Sequence, residues 1–294
     1  MSLWIRQIRV HQWAKNLLLL LPAAAAHVIT DGPVMIAVVH AFFAFSLVAS
    51  ALYIFNDVRD ADHDRQHPTK KDRPIASGAI RPGVAMAVAV GLVAGGLLFA
   101  RGLPTAFLWA LGAYAGLTLA YSMGLKRLVL VDVLILATLF TLRVIAGAAA
   151  IDVSLSRWFL AFSVFVFLSL ALVKRAVELR GLAGGPIGQR EEDQAPGRGW
   201  RTSDLPILQG LGSGAAVAGA LVYCLYITSE DVLVLYGRPD VLWAGLPLVL
   251  YVLGRTWIGV ARDEVREDPV AHAMTDPGSW VAAILFGIVI VLAA

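Results

Sequence analysis

The sequence predicts an all-α polytopic membrane protein with about nine transmembrane helices, and three observations predict it. Of the 294 residues, 59% are hydrophobic and only 15% are charged. The mean hydropathy is +0.74, too apolar for a soluble domain. The apolar residues also fall in long blocks, many close to the roughly 20 residues that a spanning helix needs. Backbone inside lipid must satisfy its own hydrogen bonds, and blocks of this length do so as helices. Cys224 is the sole cysteine, which excludes an intramolecular disulfide and a cysteine-rich metal centre.

In chain order the blocks read as spans at 17–30, 34–56, 83–100, 104–122, 128–150, 156–177, 205–228, 241–260 and 278–294. The first resembles a signal peptide, with basic residues, Leu17 to Leu21 and then Ala23 to Ala26. Its apolar run is short, however, and Trp4, His11 and Trp13 suit an interfacial helix. Between the spans the basic residues sort by side. Arg6, Arg9 and Lys15, then Arg59 to Arg81, Lys126 and Arg127, Lys174 to Arg201, and Arg255 to Arg266 lie on one side. Only Arg101, Arg157 and Arg238 lie on the other. The positive-inside rule makes the first side cytoplasmic, with the N-terminus inside and the C-terminus outside. The expected location is a bacterial-type inner membrane, with residues 1–294 as one domain without repeats. The long polar loops, 57–82, 178–204 and 261–277, are all on the inner side, so that face carries the chemistry. Residues 183–200 read as irregular and mobile, whereas 57–66 should continue the second span as helix until Pro68 stops it.

The most informative stretch is Asn56-Asp57-Val58-Arg59-Asp60-Ala61-Asp62-His63-Asp64. On a helix Asp57, Asp60 and Asp64, at i, i+3 and i+7, share one face. Three carboxylates facing one way repel unless a cation sits between them. Mg²⁺ carried by a di- or polyphosphate suits them, since it takes a few carboxylates and leaves positions for phosphate oxygens. Lys70, Lys71 and Arg73 follow closely and offer a cationic rim to the same group. A solvated loop with internal ion pairs is the plain alternative, and the regular acidic spacing speaks against it. His63 and His67 have a metal-like i,i+4 spacing but no third ligand, and read as ordinary loop histidines.

Tyr121-Ser122 with Lys126-Arg127 places a hydroxyl and cations at a helix end, suited to a phosphate oxygen or to simple interfacial anchoring. In Lys174-Arg175-Ala176-Val177-Glu178-Leu179 the basic pair offers phosphate contacts. Glu178 offers a carboxylate to a second metal or a sugar hydroxyl, or it merely pairs with Lys174 at i,i+4. Arg143 lies about 20 Å inside the fifth span at about 1.5 Å per residue, and an intramembrane charge is by default a functional residue. Asp132, near the start of that span, reads as its partner, a phosphate-site residue or a helix cap. The charged loop at 262–268 reads as solvated.

Together these residues resemble the UbiA superfamily of intramembrane transferases. The resemblance rests on Asn56 to Asp64, on Arg73-Pro74-Ile75-Ala76-Ser77-Gly78, and on Tyr121-Ser122 with Lys126-Arg127, and the span plan matches over nearly the whole chain. It implies helices around a central cavity that opens to the cytoplasmic face. It also implies Mg²⁺–diphosphate bound by Asp57, Asp60 and Asp64. The family's usual second aspartate motif is absent, and Lys174-Arg175-x-x-Glu178-Leu179 stands in its place. With His11-Gln12-Trp13-Ala14-Lys15-Asn16 and His67-Pro68-Thr69-Lys70, this resembles the branch that contains decaprenyl-phosphate phosphoribosyltransferase.

The resemblance implies phosphoribosyl pyrophosphate as donor and a polyprenyl phosphate as acceptor, and no nucleic acid is expected as a partner. Asp57, Asp60 and Asp64 would hold the metal, and Asn56 would orient them or a substrate oxygen. Lys70, Arg73, Tyr121, Lys126, Lys174 and Arg175 would contact phosphate, and Glu178 a second metal or a ribose hydroxyl. Two other functions use the same residues. One is prenyl transfer from a polyprenyl diphosphate to an aromatic acceptor such as 4-hydroxybenzoate. The other is a transporter with an acidic inner mouth, which the concentration of charge in loops rather than along a path disfavours.

Overall fold

A computed structural model describes residues 3–65, 70–183, 195, 197–265 and 269–294. The described residues form helices and turns without a strand. In chain order the α-helices are α1 (Leu3–Ile8), α2 (Leu21–Ala25), α3 (Gly32–Arg59), α4 (Ala61–Arg65), α5 (Pro82–Phe99), α6 (Thr105–Met123) and α7 (Val131–Ala150). They continue with α8 (Arg157–Ala183), α9 (Leu205–Ile227), α10 (Glu230–Leu235), α11 (Gly245–Ala261), α12 (Pro269–Thr275) and α13 (Pro277–Ala293).

Seven helical stretches among the described residues are long and apolar enough to cross a membrane. They match seven expected spans: α3, α5, α6, α7, most of α8, Thr202–Ile227 and Pro239–Ala261. The expected span at 278–294 is α13, an apolar helix of 17 residues. The chain is a multi-pass α-helical membrane protein.

Two compact units are present, Met1–Met123 with Leu142–Ser154 and Gly124–Thr141 with Leu155–Ala294. The division falls inside α7.

In the first unit α5 packs directly on α3. A Cβ on Gly96 would lie 2.8 Å from Val48 Cγ2 and 3.0 Å from the Ala44 carbonyl, so only glycine permits the approach. The first span differs from expectation. Instead of an α-helix over 17–30, the chain runs as a 3-10 helix from Val10 to Leu20 and then as α2. The reason is register. Trp13 Nε1 donates to Ser50 Oγ at 3.0 Å, and Asn16 Nδ2 donates to Ser46 Oγ at 2.9 Å. Three residues of 3-10 helix rise about 6 Å, the same as four residues of α-helix. Each three-residue step of the segment therefore meets a four-residue step of α3. The same match recurs on α7: Arg143 Nε donates to Asn16 Oδ1 at 3.0 Å, and Leu19 lies against Gly147.

In the second unit α8, α9 and α11 lock at one point. Trp257 Nε1 donates to Ser169 Oγ, which donates to the Gly212 carbonyl, each at 2.9 Å. The Trp257 ring occupies the space that a Gly212 Cβ would need, 1.9 Å away. Farther along, Tyr223 donates to the Leu242 carbonyl at 2.7 Å over a cluster that includes Val232 and Tyr236. Asp276 caps α13 by accepting from the Ser279 amide at 2.7 Å, and Arg255 clamps the same carboxylate at 2.8 and 3.1 Å.

Candidate functional site

The acidic motif sits where α3 runs on past its apolar stretch. The helix continues, as expected, with one interruption at Asp60 (φ −90°, ψ 4°), bridged by Asp60 N to Asn56 O at 2.9 Å and Asp64 N to Asp60 O at 2.8 Å. The expected stop at Pro68, with His67 and Thr69, lies outside the described residues.

Asp57 and Asp64 are both buried, 3% and 5% exposed, and both accept from Nη1 of Arg73, at 3.2 and 2.7 Å. Two buried carboxylates of one helix face thus converge on a single cationic nitrogen. Arg73 is delivered by a tight loop. A 3-10 turn over Lys70–Asp72 precedes it, the Arg73 carbonyl accepts from Ser77 N at 2.8 Å, and Gly78 turns the chain with φ +81°. Ile75 and Ala76 are buried beneath this loop, and Arg65 Nε donates to the Ala76 carbonyl at 3.1 Å. Each residue type in Arg73-Pro74-Ile75-Ala76-Ser77-Gly78 is therefore used: a cation, a packed base and a left-handed turn.

The N-terminal segment supplies partners that the sequence reading missed. Arg9 Nη2 lies 2.5 Å from Asp57 Oδ1, and Gln7 Nε2 donates to Asp57 Oδ2 at 3.0 Å. Arg6, Arg9, His11, Asp57, Arg73 and Pro74 line a cavity of about 270 Å³. Nothing in the spacing of Gln7 and Arg9 marks them, and in the sequence Arg9 counts only as a positive charge on the inner side.

The remaining first-unit candidates, Asn56, Asp60, Lys70 and Tyr121, are half-buried. Arg59, beside Asp60, donates to the Met123 carbonyl at 3.1 Å and so ties the ends of α3 and α6.

Lys126, Lys174, Arg175 and Glu178 belong to the second unit. There Arg175 is 1% exposed: its Nε donates to Asp132 Oδ2 at 2.7 Å and its Nη1 pairs with Glu178. Trp200 Nε1 donates to the other Asp132 oxygen at 2.9 Å. Asp132 is thus a buried hub between α7, α8 and residue 200, and Glu178 also faces Arg198 at 3.9 Å. Lys174 and Lys126 are half-buried. Among the described residues no three acidic, histidine or cysteine side chains stand close enough to cage a metal ion by themselves.

The UbiA prenyltransferase family model matches residues 17–276. The chain belongs to the UbiA prenyltransferase family. Members of that family are prenyltransferases. One relative, the uncharacterized protein y4nM of Sinorhizobium fredii, is 36% identical over 99% of this chain and 55% of its own length. The decaprenyl-phosphate phosphoribosyltransferase of Corynebacterium glutamicum is 40% identical over 65% of this chain and 60% of its own. The UbiA family chain thus spans little more than half the length of these curated relatives. A UbiA homolog from Archaeoglobus fulgidus, solved with DMAPP and Mg²⁺, superposes with a TM-score of 0.70 over 99% of both chains at 16% identity, which shows a shared fold.

Proposed function

We propose that this UbiA family member transfers phosphoribosyl from phosphoribosyl pyrophosphate to a polyprenyl phosphate, releasing pyrophosphate. One observation carries the reading: the convergent carboxylates Asp57 and Asp64 are met by the guanidinium groups of Arg9 and Arg73, and the sequence has Lys174-Arg175-x-x-Glu178 in place of a second aspartate motif. A residue set so rich in cations suits a donor that carries a phosphate besides its diphosphate. The 40% identity to a decaprenyl-phosphate phosphoribosyltransferase over 65% of the chain supports the same donor.

The residues fit Mg²⁺. Asp57 and Asp64 already meet at one cationic nitrogen, and the described residues form no cage of three ligands. That combination suits a hard ion held by one or two carboxylates plus substrate phosphates. When bound, Mg²⁺ would offset the charge that develops on the leaving pyrophosphate.

The chain's own residues do the rest. Asp57 and Asp64, with Asp60 beside them, hold the metal end of the donor, and Asn56 orients them. Phosphate oxygens are met by Arg73, Lys70 and Tyr121 in the first unit and by Lys126 and Lys174 in the second, each contact helping to fix a bound phosphate group. Arg175, clasped by Asp132 and Glu178, holds Glu178 toward a ribose hydroxyl or a second metal. The bond from the anomeric carbon to the pyrophosphate oxygen breaks, and a lipid phosphate oxygen bonds to that carbon. With a second pKa near about 6, the lipid phosphate is already ionised and needs no strong base. The whole chain acts as one domain in a bacterial inner membrane, with the site on the cytoplasmic side where the basic loops lie.

The test is pyrophosphate release by purified protein with Mg²⁺, comparing two substrate pairs. Release with phosphoribosyl pyrophosphate and a polyprenyl phosphate, abolished by EDTA, is the expected result. Release only with a polyprenyl diphosphate and 4-hydroxybenzoate would overturn it in favour of aromatic prenylation.

A further inference from the structure

Asp57 is a metal ligand only if something leaves it. Its Oδ1 is held by Arg9 at 2.5 Å and by Arg73 at 3.2 Å, and its Oδ2 by Gln7 at 3.0 Å. Arg73 keeps a second acidic partner, Asp64 at 2.7 Å, if it gives up Asp57. For Arg9, Asp57 is the acidic partner. Arg9 is also the residue placed at a conformational cost, with φ 57° and ψ 48°, a left-handed backbone that an arginine rarely adopts. Its guanidinium lies 5.1 Å from the centre of the Tyr53 ring, one helical turn before Asp57, and it borders the cavity shared with Arg6, His11 and Arg73. A further sign of an unfinished site is Gln7, 1% exposed. Its Nε2 is on Asp57, while Oε1 of the same amide is buried without a hydrogen-bond partner, an acceptor suited to a metal-bound water.

We infer that Arg9 is a place-holding cation. It neutralises Asp57 while the site is empty. When Asp57 passes to a divalent ion, Arg9 stays stacked on Tyr53, turns into the 270 Å³ cavity and becomes a ligand of substrate phosphate. This deepens the proposed function and rests on its assignment of a divalent metal to Asp57. Charge balance gives the exchange its direction. Empty, Arg9 and Arg73 offset Asp57 and Asp64. With a divalent ion on the carboxylates, both guanidinium charges and that of Arg6 face the cavity, and a polyanion is required. Metal and phosphate therefore bind this site far better together than apart, and Arg9 carries the coupling.

The consequence is a pair of effects of opposite sign, which a merely structural role for Arg9 would not give. In detergent-purified Arg9→Ala, titration calorimetry with Mn²⁺ alone should show tighter binding than in the wild type, because the competing guanidinium is gone. Inorganic pyrophosphate, titrated in the presence of saturating Mn²⁺, should bind more weakly. Each change should lie within the range of about 5- to 150-fold that such couplings span. Arg101→Ala, an exposed arginine on the opposite side by the charge pattern, should alter neither. Should Arg9→Ala not fold, Arg9→Gln carries the same test, since it keeps a donor for Asp57 without the charge. Loss of both affinities, or unchanged Mn²⁺ binding, overturns the inference. Neither probe is the sugar donor or the lipid, so an error in the donor assignment would leave this result intact, and the reverse also holds.

Discussion

Nε of Arg143 donates to Oδ1 of Asn16 at 3.0 Å, joining side chains 127 positions apart inside the first unit. Nη2 of Arg143 donates to Tyr114 Oη at 3.0 Å, and the guanidinium also lies 5.5 and 4.8 Å from the Phe45 and Tyr114 ring centres. The intramembrane charge is thus solvated by an amide, a phenol and two π faces. One turn farther along α7, Gly147 receives Leu19, whose carbonyl oxygen would lie 2.2 Å from a Cβ. The 3-10 segment is keyed to α7 by this pair of contacts.

Gly147→Ala should therefore be severe, because the obstacle is backbone and not a side chain that can swing away. The expected loss is about 3 kcal/mol or more. Gly91→Ala, with nothing within 4 Å of the added methyl, should leave stability unchanged or improve it slightly. Thermal unfolding followed by size-exclusion chromatography in detergent compares the two.

Among the acidic residues, burial and pairing separate Asp57 and Asp64 from Asp62, whose side chain is 93% exposed and paired with Arg65. Asp57→Asn and Asp64→Asn should lower pyrophosphate release by about 100-fold or more, since each removes a charge from the pair that would hold the leaving group's counter-ion. Asp62→Asn should stay close to wild type. Circular dichroism of all three should match, so that the loss reads as chemistry and not as unfolding.

How much of this was legible follows from the range over which each signal acts. A spanning helix satisfies its backbone internally, so α3, α5 to α9 and α11 stand out from local hydropathy alone. The face shared by Asp57 and Asp64 follows from helical period, and the loop of Arg73 to Gly78 from its residue types. Partnerships across the chain were not legible. Arg9 and Asp57 are 48 positions apart, and Arg175 and Asp132 are 43 apart. In both cases composition gives charge without direction. The 3-10 path of Val10 to Leu20 was hidden because its period is imposed by Ser46 and Ser50 of another helix.

Asp132 and Arg175, 0% and 1% exposed, form a buried ion pair in the second unit. Asp132→Asn leaves the guanidinium buried with less compensation and should cost about 3–5 kcal/mol. Asp132→Leu combined with Arg175→Met should recover much of that loss, because well-packed apolar residues can replace a buried pair at little net cost. Melting curves of the single and double variants check this. A double variant no more stable than Asp132→Asn would give the pair a positive role in folding.

Acid should release the cap of α13. The guanidinium of Arg255, with added help from the amide and hydroxyl of Ser279, holds the Asp276 carboxyl well below the usual carboxylate range. A carboxyl depressed on folding stabilises the protein fully above its unfolded value, near about 3.9, and loses that contribution as the pH falls toward the folded value. Asp276→Asn keeps a capping oxygen but not the charge. Its melting temperature should therefore lie below wild type by a constant gap from pH 7 to about pH 5. Below about pH 4 the gap should narrow, because the carboxyl of the unfolded wild-type chain then binds protons that the folded carboxylate does not. Arg255→Gln should shrink the gap above pH 5 and raise the pH at which the narrowing is complete, because the folded carboxyl then lies nearer the ordinary carboxylate range. A gap that stays constant down to pH 3 in both backgrounds would mean that the cap works through hydrogen bonds alone.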